Sequence, residues 1–160
     1  MRKKLSFVVA SSFGVGYCPF ASGTAGSLAT LPLAFAVAYF YGVWGILAAA
    51  VIAFFAGVAT SREVLKYTKH DPSLIVIDEV VGQLLAFALV ADKLVANTQA
   101  WAVYVIGFAL FRLFDIWKPQ PARWADQKVL NAWGVMLDDV FAGIYVALCL
   151  YGICYYLPLL

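Results

Sequence analysis

Charge is what this chain has least of. Only 12% of its 160 residues are Asp, Glu, Lys or Arg, and none lies between Leu5 and Ser61. A soluble domain carries about 25% charged and about 45–50% apolar residues. Here 64% are hydrophobic and the mean hydropathy is +0.88. That composition excludes a water-soluble globule and points to one membrane-embedded domain spanning 1–160. The net charge of +2 is small, and no nucleic-acid partner is expected.

Histidine and cysteine are scarce too. The one histidine, His70, falls in a lysine-containing loop and reads as solvated, which speaks against phosphohistidine chemistry. Cys18, Cys149 and Cys154 have no metal or redox spacing. The last two fall in an apolar run and read as small buried hydrophobes. Six positions after Cys18 stands Thr24 rather than arginine, which excludes a cysteine-phosphatase loop. The opening MRKKLSFVVASSFGVG resembles a signal peptide, but Ser11, Ser12 and two glycines interrupt it and no small-x-small site follows. It is expected to stay in the mature protein.

What is abundant is apolar chain, and its punctuation predicts an all-α integral membrane bundle. Polar or glycine breaks at 42–45, 62–72, 92–99 and 115–134 leave about five helices, near 26–41, 43–61, 74–91, 100–114 and 134–157. A re-entrant N-terminal segment near residues 5–25 is compatible with that count. The first helix spans only ~24 Å at 1.5 Å per residue, short of a ~30 Å hydrocarbon core. Cations gather at the N-terminus (Arg2, Lys3, Lys4), at 62–70 (Arg62, Lys66, Lys69) and at 115–131 (Lys118, Arg123, Lys128). Five crossings put all three clusters on one side, the cytoplasmic side by the positive-inside rule.

Against this background the acids stand out. LIVIDEVVGQLLAFALV carries Asp78 and Glu79, predicted one to two turns inside its helix; Asp115 closes the fourth helix, and Asp138 and Asp139 open the last. A charge at mid-membrane costs roughly 2.5–3.5 kcal/mol on insertion scales. Five carboxylates from three helices in one layer are more than ion pairing explains, because paired buried charges stabilise no better than apolar packing. Carboxylate oxygens suit a hard cation such as Mg²⁺ shared with a phosphate. Neighbouring helical residues point about 100° apart, so Asp78 and Glu79 take different roles, as do Asp138 and Asp139. Glu79, one turn before Gln83 with Gly82 between, and Asp139, one turn before Gly143, are the expected inward ligands; Asp78 and Asp138 are the other metal candidates.

Two further stretches belong to the same side. CPFASGTAGSLATLP is glycine-rich, hydroxyl-bearing and leads into a helix. Its backbone N–H groups, with Ser22, Thr24 and Ser27, are candidates for a phosphate cradle. FRLFDIWKPQPARWADQKV interleaves Arg112, Lys118 and Arg123 with Trp117 and Trp124, which suits an anionic headgroup at the interface. The kit is that of an enzyme removing a phosphomonoester from a lipid headgroup.

SGTAGSLATLPLA, DPSLIVIDEVVGQLLAF and FRLFDIWKPQPARWADQKVLNAWGVMLDDVFAGIYVA together resemble the phosphatidylglycerophosphatase A family, in order and over nearly the whole chain. The resemblance implies a bacterial inner-membrane, multi-pass, Mg²⁺-dependent phosphatase that converts phosphatidylglycerophosphate to phosphatidylglycerol and phosphate. It carries over Thr24, Asp78, Glu79, Asp115, Lys118, Arg123, Asp138 and Asp139. Ser22 replaces the family's proline before Gly23-Thr24, and Asn131–Trp133 replaces a usual glycine. The expected mechanism has Glu79 and Asp139 on the metal and Asp115 as third ligand or base. Thr24, Ser27, Lys118, Arg123 and Arg112 are assigned to the phosphate and headgroup. Direct attack by water and attack by an Asp both stay open, and nothing specifies an oligomer. The rival reading is a small membrane carrier or ion-coupled transporter using the carboxylate layer; the absence of an internal repeat and the one-sided acids count against it.

Overall fold

The computed structural model describes residues 2–68, 73–95 and 100–156, and no strand occurs among them. His70 and parts of the two loops around it and near residue 97 lie outside the described residues. Six helices follow in order: α1 (Arg2–Ala10), α2 (Ser22–Val64), α3 (Ile77–Phe87), α4 (Ala100–Trp117), α5 (Ala122–Lys128) and α6 (Ala132–Tyr156). α2, α4 and α6 are each long and apolar enough to cross a membrane. The protein is an all-α membrane bundle.

α2 is a hairpin rather than one rod. Gly42, with φ 60° and ψ −152°, breaks it, a backbone region open essentially to glycine alone. Gly26 in the first arm lies against Val76, and Gly57 in the second lies against Ile77. Both arms therefore return to one level, and the turn expected at 42–45 is real. The first arm begins at residue 22 rather than 26, which makes it ~30 Å long at 1.5 Å per residue. It matches the hydrocarbon core instead of falling short of it.

α3 is packed among α2, α4 and α6. Seven of its 11 residues are buried, and it packs on both arms of α2 and on α6. It starts at Ile77, three residues later than the sequence pattern predicts, and ends in a tighter turn over 88–90. The reason is tertiary. The Val76 N–H donates to the Ala10 carbonyl at 3.0 Å, so the non-helical approach through residues 74–76 is tied to the end of α1. As a result Asp78 and Glu79 stand in the first turn of α3, not deeper, where the helix dipole favours negative charge. At ~16 Å, plus one turn, α3 does not span the bilayer by itself.

The far end of the bundle, opposite the start of α3, is capped by aromatic residues. Tyr39, Phe40, Tyr41, Trp44, Trp101 and Tyr156 are exposed there, and the Tyr155 hydroxyl donates to Asp92 at 2.8 Å. Trp117, Trp124 and Trp133 are exposed at the other end. Two rings of amphipathic aromatics are what a bilayer with two interfaces selects. Between them the core is apolar, built on Phe87, Val103, Phe111, Val146 and Leu150.

Candidate active site

Where α3 meets α6, side chains are replaced by backbone. A Cβ on Gly143 would run into the carbonyl of Gly82, and one on Gly82 would lie 2.7 Å from the Asp139 carbonyl and inside the Phe111 ring. Only glycine at both positions lets the helices approach this closely. One turn towards each N-terminus stand Glu79 and Asp139, so the crossing delivers the two carboxylates to each other. Asp78 joins them: an oxygen from each of Asp78, Glu79 and Asp139 lies within 4.8 Å of the other two.

This trio lines a cavity of about 540 Å³. Asp115 from α4 and Asp138 from α6 line it as well, so all five predicted acids share one space. Within each adjacent pair the first carboxylate is pinned by the second residue's backbone. The Glu79 N–H donates to Asp78 Oδ1 and the Asp139 N–H to Asp138 Oδ1, both at 3.0 Å.

The cations are arranged unequally. Lys118, at the end of α4, donates to Asp126 Oδ1 at 2.6 Å and to Asp138 Oδ2 at 2.7 Å. Burial works against its charge, but Asp138 and Asp126 overcome that and hold the ammonium above the usual lysine range. Its φ of 47° is a strained value for a side-chain-bearing residue. Arg112 Nη1 is 2.7 Å from Asp115 Oδ2. That contact lacks hydrogen-bond alignment: Arg112 Nε and Nη1 are buried with no hydrogen-bond partner among the described residues. Glu79 Oε2 and both amide atoms of Gln83 are in the same condition, and Gln83 is 0% exposed. A carboxylate oxygen and a guanidinium left unsatisfied beside a polar cavity fit a hard cation and an anion respectively. Buried polar groups are otherwise bonded.

The N-terminal loop behaves differently from expectation. Ser22, Gly23 and Thr24 form the first turn of α2 instead of a loop before it. Ser22 and Gly23 line the cavity, whereas Thr24 and Ser27 do not. The Ser27 hydroxyl is buried and donates back to the Gly23 carbonyl at 2.9 Å. Gly23 leaves the space its side chain would take to Glu79 Oε1 and, at 3.1 Å, to Arg112 Nη1. Arg123 is exposed, away from the cavity, with its Nη2 donating to the Trp117 carbonyl. Among the polar contacts of the cavity, Gly23 against Glu79 and Asp126 as a partner of Lys118 are not marked by the sequence. The one signal for Asp126 was its place eight residues after Lys118, in an arginine- and tryptophan-bearing stretch.

The fold and the cavity define a class: an integral membrane protein with a carboxylate-walled, cation- and phosphate-suited cavity at one end of its bundle. The comparisons make it particular. Residues 8–154 match the profile of Phosphatidylglycerophosphatase A, and the chain belongs to that family. It is 33% identical over 154 residues to the Escherichia coli phosphatidylglycerophosphatase A, covering 95% of this chain and 85% of that one. With the Haemophilus influenzae protein of the same name it shares 34% over 161 residues, covering 97% and 95%. A Bacteroides thetaiotaomicron protein provisionally named a phosphatidylinositol-3-phosphatase is 37% identical over 146 residues, covering 88% of each chain. No solved structure matches the chain.

Proposed function

We propose that this protein is a Mg²⁺-dependent phosphatidylglycerophosphatase of the bacterial inner membrane, releasing inorganic phosphate from phosphatidylglycerophosphate at the cytoplasmic leaflet. The observation that carries the reading is the single cavity holding Asp78, Glu79 and Asp139 within 4.8 Å together with Arg112, which is ion-paired to Asp115 but has Nε and Nη1 without a hydrogen bond.

Glu79, Asp139 and Asp78 would hold the cation, since an oxygen of each lies within 4.8 Å of the other two. Bound there, it would supply positive charge to the phosphoryl oxygens and acidify water. Arg112 takes the non-bridging oxygens, its planar fork matching a phosphate where a lysine offers a point charge. The first turn of α2, with Gly23 free of a side chain, adds backbone N–H groups on the same side. Asp115, held beside Arg112, orients the attacking water. Lys118 bonds Asp138 and holds it in place. The work is positioning and electrostatic stabilisation, as phosphoryl transfer requires.

A carrier needs a polar route to the opposite face. The level beyond Gln83 is filled by Phe87, Leu84, Val103 and Leu150, which supports the enzyme over the transporter. The Bacteroides relative's name favours testing a second headgroup. The experiment is phosphate release by purified protein in detergent from phosphatidylglycerophosphate and from phosphatidylinositol 3-phosphate, with Mg²⁺ or EDTA. We expect Mg²⁺-dependent release from the first, lowered about 100-fold or more in Glu79→Gln and Asp139→Asn, the range seen when preorganised charge is removed. Faster release from the inositol lipid would reassign the headgroup; none from either would return the carrier.

A further inference from the structure

Six carboxylates line the acidic cavity, and they divide into two sets. Asp115 is ion-paired with Arg112 at 2.7 Å, and Asp126 and Asp138 are paired with Lys118 at 2.6 and 2.7 Å. Asp78, Glu79 and Asp139 have no ion pair among the described residues. These are also the three acids that each bring an oxygen within 4.8 Å of the other two. Every cavity acid outside the trio therefore has a cation supplied by the chain, and the trio alone lacks one.

The Lys118 pair adjoins the trio without joining it. Asp138 Oδ2 accepts from Lys118 Nζ, while its Oδ1 accepts from the Asp139 N–H at 3.0 Å. Lys118 follows the last residue of α4, Asp126 lies on α5 and Asp138 on α6, so one ammonium ties three elements together at the cavity wall. Two carboxylates converging in a part-buried wall require a positive charge between them. In two-metal phosphatases that charge is a second ion about 3.5–4 Å from the first, and the two ions clamp the attacking and leaving oxygens. We propose that the cavity takes a single divalent cation, at Asp78, Glu79 and Asp139, and that the Lys118 ammonium occupies the place of a second. The proposal rests on the Mg²⁺-dependent phosphatase reading above. A tethered ammonium survives chelation, so the activity follows one binding event and is hyperbolic in Mg²⁺ concentration.

Counting ions tests this apart from catalysis. Purified protein in detergent is titrated with Mn²⁺, an oxygen-preferring stand-in for Mg²⁺, and free Mn²⁺ is read by electron paramagnetic resonance. Wild type is expected to bind one Mn²⁺ per chain, displaced by excess Mg²⁺. Lys118→Gly vacates the second place, and its backbone, at φ 47°, suits glycine. This variant is expected to bind two Mn²⁺, with spin coupling between them. Lys118→Arg keeps the charge and is expected to stay at one. So is Lys118→Gly combined with Asp126→Asn, which removes one of the two vacated acids. Two ions on wild type would overturn the proposal and leave the phosphatase reading standing. A single ion on folded Lys118→Gly would overturn it too, because the lysine would then hold no ion's place. If that variant does not fold, the wild-type count decides alone. No ion on wild type would overturn the proposal and the Mg²⁺ reading together.

Discussion

Gly23 and Gln83 bracket Glu79 from two sides, and each makes a different demand on it. Gly23 has no side chain where Glu79 Oε1 and Arg112 Nη1 converge. An added methyl has room only if the flexible carboxylate moves. Gly23→Ala is therefore expected to leave thermal stability nearly unchanged while raising the Mg²⁺ concentration for half-maximal activity about tenfold or more; an unchanged Mg²⁺ dependence would show that Glu79 tolerates the shift. Gln83 carries the opposite signature: a buried amide with no partner among the described residues costs about 1–3 kcal/mol. Gln83→Met keeps the volume and removes that cost. Its melting temperature in detergent is expected to rise; a fall would mean the amide is satisfied in solution. At this scale the sequence was most legible where physics makes errors expensive. Acids in an apolar run stand out because they are costly, and all five predicted carboxylates share the cavity. Which cation meets the phosphate was not legible, because Lys118, Arg123 and Arg112 differ only in what they already bond. Lys118 is taken by two aspartates and Arg123 by a carbonyl, whereas Arg112 is ion-paired with Asp115 and still has Nε and Nη1 without a hydrogen bond.

Elements were legible by their ends only where the ends are local. Gly42 marks the α2 turn because no other residue adopts its backbone angles at low cost, so the break was visible in the sequence. Gly42→Ala is expected to destabilise the bundle by about 1–3 kcal/mol, measured as a lowered denaturation midpoint in mixed micelles. The start of α3 was hidden, since Leu74–Val76 continue the apolar pattern while tertiary contacts, the bond from Val76 to Ala10 and the close approach of Gly16 to the Leu74 carbonyl, hold them outside the helix. The start of α2 was hidden for the converse reason: Ser22, Gly23 and Thr24 have loop-like composition, yet they are helical, with Gly23 lying against Glu79. α5 is only seven residues long, too short for periodicity to reveal, and its Asp126 went unnoticed with it. The sequence marks Gly82 and Gly143 only as small residues near the acids; that they face each other across α3 and α6 is visible in the structure alone.

At the scale of the whole molecule the two ends are chemically distinct. Lys3, Lys4, Arg62, Lys66, Lys118, Arg123 and Lys128 gather at the cavity end, and Lys93 is the one cation at the other among the described residues. Because translocation disfavours cationic loops, that asymmetry supports the proposal that the cavity faces the cytoplasm, and the cysteines offer a direct check. Cys18 is exposed and lies three residues before Ala21, which lines the cavity. Cys149 is exposed too, but deep along α6 where hydrocarbon covers it, and Cys154 is buried. A membrane-impermeant maleimide reacts with thiolate, which forms in water and not in lipid. In inverted inner-membrane vesicles Cys18 is therefore expected to be modified and Cys149 and Cys154 spared, with labelling lost in Cys18→Ser. In intact spheroplasts no cysteine is expected to react until the membrane is permeabilised. Modification of Cys18 from the outer side would place the cavity, and the lipid phosphate it takes, in the opposite leaflet.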